Sequence, residues 1–297
     1  LPTWMWVIDT DPKHLLNSYR RINLHHTKIA LLLLLTLFSM TATAIEAFDH
    51  QHRLWSGLLE RHVTWIGSGH ASQVDYSALK KEQATLTRYL TALSAVERQR
   101  YDRWSREQQL TFLINAYNAY TVELILSRYP DLRSIKDLGS LFSSPWKKRF
   151  FSLLGERRSL DDIEHRMIRA PGIFDEPRIH VAVVCASIGC PALPSEAFIP
   201  QRLDDQLEKS LISFLSDSSR NRYNTQQDRL EVSKIFDWYE EDFSQGHLGL
   251  TSLKTLFSRY AALLTDDPVA QRRIANGEVD ITHLNYDWRL NDRQSAE

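Results

Sequence analysis

Apolar positions recur along this chain at helical spacing far more often than in strand alternation. Between residues 47 and 65, Leu54, Trp55, Leu58, Leu59 and Val63 fall near a 3.6-residue period, which predicts an amphipathic helix ended by Gly67-Ser68-Gly69. Val74-Asp75-Tyr76 reads as a short extended piece, residues 80–93 as a second helix and residues 105–129 as a longer third, stopped by Pro130. Residues 149–158 carry two short extended runs around Leu154-Gly155, a hairpin pattern. A helix then opens at Ser159 or Leu160 and runs through Ala170, with Ser159 and Asp162 spaced as a capping box. Residues 178–186 are almost continuously apolar after His180 and read as a central strand. Helix is expected over 200–215, 237–243, 251–264 and 268–276, and extended chain over 229–236 and 279–285. The expected fold is therefore α+β: many helices packed around a small central β-sheet, in a single domain over 45–297.

The third helix has an unusual surface. Gln108, Thr111, Asn115 and Asn118 lie at i, i+3, i+7 and i+10, one narrow polar seam closed by Val122 and bordered by Glu123. The rest of the helix is Phe, Leu, Ile, Ala, Tyr and Val, so it should be buried. A solvent-facing stripe would draw on better helix formers, since each Asn costs roughly 0.5 kcal/mol against Ala. The seam is thus expected to be hydrogen-bonded internally or to wall a cleft.

Residues 1–44 are set apart. An apolar run from Ile29 to Phe38 follows Arg20, Arg21 and Lys28 and precedes Ala42-Thr43-Ala44, the pattern of a secretory signal peptide cleaved near Ala44. The run falls well short of the ~20 residues that span a bilayer. The stretch before it is long for such a signal, which places the native start near residues 19–24. The expectation is an exported protein, periplasmic or secreted, with no transmembrane span in its mature part. Its 36 Lys+Arg nearly balance its 37 Asp+Glu, without a basic cluster, so nucleic acid is not an expected partner.

The only two cysteines are Cys185 and Cys190, the second in a Gly189-Cys190-Pro191 turn. In an oxidising compartment they could pair across Ser187-Ile188-Gly189. Alternatively Cys190 is a nucleophile at a strand-to-loop turn, its thiolate favoured by His180 or His165, with Glu164, Asn115 or Asn118 orienting the base. Both histidines also have plain structural readings. The spacing of His180, Cys185 and Cys190 matches no common zinc pattern, and no phosphate-cradling glycine loop or nucleophile elbow is present, so neither metal nor cofactor is expected. Trp and Tyr among carboxylates at 233–243 and 285–291 point to packing with satisfied polar tips, or to a carbohydrate or peptide cleft.

Several motifs occur in a fixed order: Val74-Asp75-Tyr76, Phe112-Leu-Ile-Asn-Ala-Tyr-Asn118, Leu160-Asp-Asp-Ile-Glu-His165, Arg178-Ile179-His180, Cys185, Cys190-Pro-Ala-Leu193, Phe236-Asp-Trp-Tyr239, Asp242-Phe243 and Tyr286-Asp287-Trp288. Together they resemble the domain-of-unknown-function-547 family, over nearly all of the chain beyond the leader. Members are often exported bacterial proteins. The resemblance implies recurrent polar positions at Asn115, Asn118, Glu164, His165, Arg178, His180, Cys185, Cys190 and Asp287. Where the family has Ser in its final motif this chain has Arg289, which reads as a surface change.

Two functional readings follow. One is a non-catalytic envelope module that binds a peptide, glycan or protein, with Arg178, Glu123, Asp287 and Trp288 as candidate binding residues. It expects Cys190 buried or oxidised and an exposed aromatic groove. The other is a cysteine-dependent hydrolase or acyl transferase (peptidase, amidase or transglutaminase-like), which expects a free Cys190 thiol in an open cleft near an imidazole. The first is preferred.

Overall fold

A computed structural model describes residue 3 and residues 47–140 and 143–293; the predicted signal segment, apart from Thr3, lies outside the described residues. Residues Phe48–Glu297 cluster as one compact unit. In chain order its main elements are α1 (Arg53–His62), β1 (Val63–Ile66), β2 (Ala71–Val74), α2 (Tyr76–Lys81), α3 (Gln83–Ser94), α4 (Arg98–Tyr101), α5 (Arg106–Leu126), β3 (Phe151–Leu153), β4 (Glu156–Arg158), a π-helical segment Asp162–Ile168, α6 (Leu203–Leu215), β5 (Arg222–Asn224), β6 (Arg229–Val232), α7 (Ile235–Trp238), α8 (Leu253–Arg259), α9 (Ala261–Leu264), α10 (Pro268–Ala275) and β7 (Asp280–His283).

The class is α+β, with the strands spread over three small sheets. β1 and β2 form an antiparallel pair, β3 and β4 another, and β5-β6-β7 a three-stranded sheet in which β6 and β7 run parallel. Among the described residues no helix is long and apolar enough to cross a membrane.

Two apolar cores carry the packing. The larger surrounds α5, whose Phe112, Leu113, Ile114, Ala116, Ala119 and Ile125 are fully buried, and draws in Trp55, Leu86 and Phe198. α5 starts at a reciprocal cap: Ser105 Oγ accepts from Gln108 N (3.3 Å), and Gln108 Oε1 accepts from Ser105 N (2.9 Å). The smaller core gathers Phe214, Phe236, Phe243 and Phe257 from the C-terminal third, together with Val181.

Several expectations change at this level. The first helix is shorter than its apolar spacing suggests, because Val63–Ile66 leaves the helix to pair with Ala71–Val74. The second predicted helix breaks at Glu82, and the helix expected over 251–264 breaks at Tyr260. The extended run from 229 ends at Val232, and Ile235–Trp238 is helical. The hairpin at 151–158 forms, and Ser159 and Asp162 cap one another, each donating a backbone N–H to the other's side chain (3.0 and 3.1 Å).

The largest correction concerns residues 178–186. They form no strand. Pro177–Val181 is a 3-10 turn, and the chain beyond it is irregular and buried. Its apolarity reflects burial rather than sheet pairing. The backbone finds partners in a side chain: Asn118 Nδ2 donates to Ala182 O (2.9 Å), and Asn118 Oδ1 accepts from Val184 N (2.9 Å). Two of the segment's backbone groups, which would otherwise need a neighbouring strand, are satisfied this way.

Candidate functional site

The polar seam of α5 is internal. Asn115 is 0% and Asn118 1% exposed. Asn115 does for the 198 segment what Asn118 does for 182–184: its Nδ2 donates to Phe198 O (2.8 Å), and its Oδ1 accepts from Phe198 N (3.1 Å). These amides hold two irregular chain segments against one rigid helix. One of them leads directly into the cysteine turn.

Cys185 and Cys190 are joined as a disulfide, with Cα atoms 6.1 Å apart, inside the usual range for such a bridge. The turn between them is pinned from the other side by the C-terminal segment, where Ile188 N donates to Arg289 O and Gly189 N to Asp287 O, both at 2.8 Å. Gly189 suits this close approach, since a Cβ would lie only 3.0 Å from both Asp287 N and a Tyr286 ring carbon. Cys185 Sγ accepts from the hydroxyls of Ser187 and Tyr286, each at 3.0 Å.

The disulfide borders a cavity of about 290 Å³, at the small end of ligand-site sizes. The cavity lies at the seam of the two cores, with Tyr117 and Val183 contributed by the larger and Ile235 by the smaller. One wall is aromatic: Trp146, Trp238, Tyr286 and Trp288. Trp238 and Trp288 stack at 5.6 Å, Tyr286 and Trp288 meet at 4.5 Å, and Trp238 remains 43% exposed. Lys136 Nζ sits 3.7 Å from the Trp288 ring centroid.

The opposite wall is polar and built by the π-helical segment, a backbone form often found at functional sites. Glu164 is buried, and both its oxygens are occupied: Tyr117 donates to Oε2 (3.0 Å) and Tyr239 to Oε1 (2.7 Å). Burial first, and then the Glu164 charge, push both phenols well above their usual range, so they remain donors at neutral pH.

Next to Glu164 runs a charged chain. Arg169 grips Asp242 with both prongs of its guanidinium (2.6 and 3.0 Å) and donates to His165 Nδ1 (2.6 Å). Asp161 lies 3.5 Å from His165 Nε2. His180, 3% exposed, stacks on Tyr239 at 3.8 Å and meets Asp242 Oδ2 through Nε2 at 2.6 Å. Burial alone would raise the Asp242 carboxyl, but hydrogen bonds from His180 and Arg169 outweigh it and hold the group well below the ordinary carboxylate range. Burial lowers His180 against the pull of Asp242. Asp242 is therefore the acceptor and His180 Nε2 carries the proton. His180 Nδ1 is left as a buried acceptor with no partner.

The structure thus brings Cys190, His180, His165, Glu164 and Trp288 to one cavity. Asn115 and Asn118 stand behind it, holding backbone. Arg178 lies elsewhere, paired with Glu176 at the start of its own turn and tied to α6 through Asp204 and Glu208. Glu123 is half-buried outside the cavity, its carboxyl raised by burial. Asp287 is gripped by Arg289, whose side chain is largely exposed. Asp242 and Arg169, which organise the site, were not among the sequence candidates, and neither were Tyr117, Tyr239 and Tyr286. The ordered motifs at 236–243 and 286–288 already held three of these five, but their aromatic-acid pattern reads as packing.

Fold and cavity define an α+β domain with a small, aromatic-walled polar cleft and a disulfide at its edge. Residues 101–215 match the family model described as "Protein of unknown function, DUF547", so the chain carries a DUF547-family domain. That span includes the α5 seam, the π-helical segment and the cysteine turn, while the motifs at 74–76, 236–243 and 286–288 fall outside it. No curated protein and no solved structure matches the chain.

Proposed function

We propose that this chain is an accessory binding module of the cell envelope, which takes a small part of a peptide, glycan or protein into the aromatic-walled cavity. The observation that carries the reading is the wall itself: Trp238, Tyr286 and Trp288 packed together in the cavity lining, with Trp238 43% exposed. An exposed Trp backed by two half-buried aromatics and set beside fixed polar groups offers a face that a ligand can cover. The disulfide supports binding over thiol chemistry, because a sulfur tied to Cys185 has no thiolate to offer. It also suits an oxidising compartment, as does the signal-like pattern of residues 20–44.

The test is a titration with short peptides, amino sugars and amines, read from the indole resonances of the ¹⁵N-labelled protein. Perturbation of the Trp238 and Trp288 signals, lost in the Trp238→Ala/Trp288→Ala double variant, supports the reading. A panel that leaves both indoles unmoved, or binding that survives the double variant, overturns it.

A further inference from the structure

Around Glu164 and His180 the cavity presents acceptors whose neighbouring donors are already used. The phenolic protons of Tyr117 and Tyr239 are spent on Glu164, and the His180 proton is spent on Asp242. His180 Nδ1 has only a lone pair to present, and it has no partner. An unpaired buried acceptor costs roughly 1–3 kcal/mol. Around it stand two carboxylates, Glu164 and Asp242, against the single positive charge of Arg169, and Asp161 adds a further carboxylate at the rim. A buried group of charges with an uncancelled negative charge favours a counter-cation.

From this arrangement we infer that the cavity takes a protonated primary amine on a ring-shaped or otherwise apolar body. The ammonium donates to His180 Nδ1 and to Glu164, and the body lies against Trp238 and Trp288. This rests on the binding reading above and names its ligand chemistry. Three donors on one nitrogen match the acceptors of the His180–Glu164 side, whereas a carboxylate or phosphate placed there would meet like charge. The aromatic wall is suited to the same cation. Trp288 already holds one ammonium, that of Lys136, at 3.7 Å.

Four probes sharing one ring separate the possibilities: benzylamine, benzyltrimethylammonium, benzyl alcohol and benzoate, each titrated at neutral pH against the full chain with the indole resonances as readout. Benzylamine is expected to bind at least about tenfold more tightly than benzyl alcohol or benzoate, the worth of one charge-assisted hydrogen bond. It should also outbind the quaternary ammonium, which has the charge without the donors. Glu164→Gln should erase most of the preference. Because that variant could disturb folding, the wild-type ¹⁵N-histidine spectrum gives an independent check: benzylamine must shift His180 Nδ1. Equal or better binding of the alcohol, the carboxylate or the quaternary ion, or an unmoved Nδ1, overturns the amine assignment and leaves the binding module standing. If none of the four probes, and nothing in the wider panel, moves the indoles, both fall.

Discussion

Asp242 and His180, 62 residues apart in the chain, are joined at 2.6 Å, and the carboxylate's other partner is Arg169. One half-buried anion therefore orients an imidazole and a guanidinium together. Asp242→Asn removes the charge that balances Arg169 and should cost about 2–4 kcal/mol, toward the range for breaking a buried pair but less for residual exposure. The Asp242 carboxyl is depressed in the fold, so its contribution is present above the unfolded value near 3.9 and is lost as pH falls below it. Urea midpoints of wild type and variant should therefore lie furthest apart at neutral pH and converge on acidification.

Asn118→Ala leaves Ala182 O and Val184 N without partners inside the protein. At roughly 1–3 kcal/mol for each buried orphan, the loss should be about 3 kcal/mol. Asn118→Asp should also destabilise, because a carboxylate cannot donate to Ala182 O. Chemical denaturation measures both. A Asn118→Ala protein as stable as wild type would mean that the 182–184 segment is held by something else.

His52 is a second buried imidazole, remote from the cavity. It pairs with the Tyr89 hydroxyl at 2.7 Å, and its Nε2 has no partner. Burial, with repulsion from His50, pushes its pKa down to about 3, while Asp49 pulls the other way. The unfolded chain then binds a proton that the folded chain refuses. Stability from this group is complete above pH 6.5 and falls as pH drops from there toward about 3, at up to about 1.4 kcal/mol per pH unit. His52→Gln should flatten the stability profile between pH 6.5 and about 4.5 relative to wild type.

The cysteines should resist alkylation in the native oxidised protein and both react after reduction, as read by mass at each residue. Closing a six-residue loop is worth about 2 kcal/mol on the chain-entropy model. Reduction, or the Cys185→Ala/Cys190→Ala pair, should lower stability by about that amount. Prompt labelling of Cys190 without reductant would restore the thiol reading.

What the sequence could announce was local. The seam of α5 was legible because helix geometry fixes which residues share a face, and an Asn stripe on an apolar helix has few explanations. The 151–158 hairpin and the Ser159–Asp162 cap were legible because their partners lie within a few residues. Residues 178–186 were not, since an apolar run states only that the segment is buried. Whether its backbone pairs with a strand or with Asn118 is decided 64 residues away. The site was half legible for the same reason. Glu164, His165, His180 and Cys190 stand out by type. The role of Asp242 depends on α7 and the turns after it folding back over His180, and that follows from packing of the smaller core.

The cavity opens where the two apolar cores meet, and the space it occupies takes the place of packing between them. Heat should therefore find its weakest plane there. The smaller core, built from the last third of the chain, can loosen while the larger stays closed around α5. A ligand seated across that plane would link the two transitions thermodynamically, raising the melting of the smaller core toward that of the larger until calorimetry sees one cooperative event.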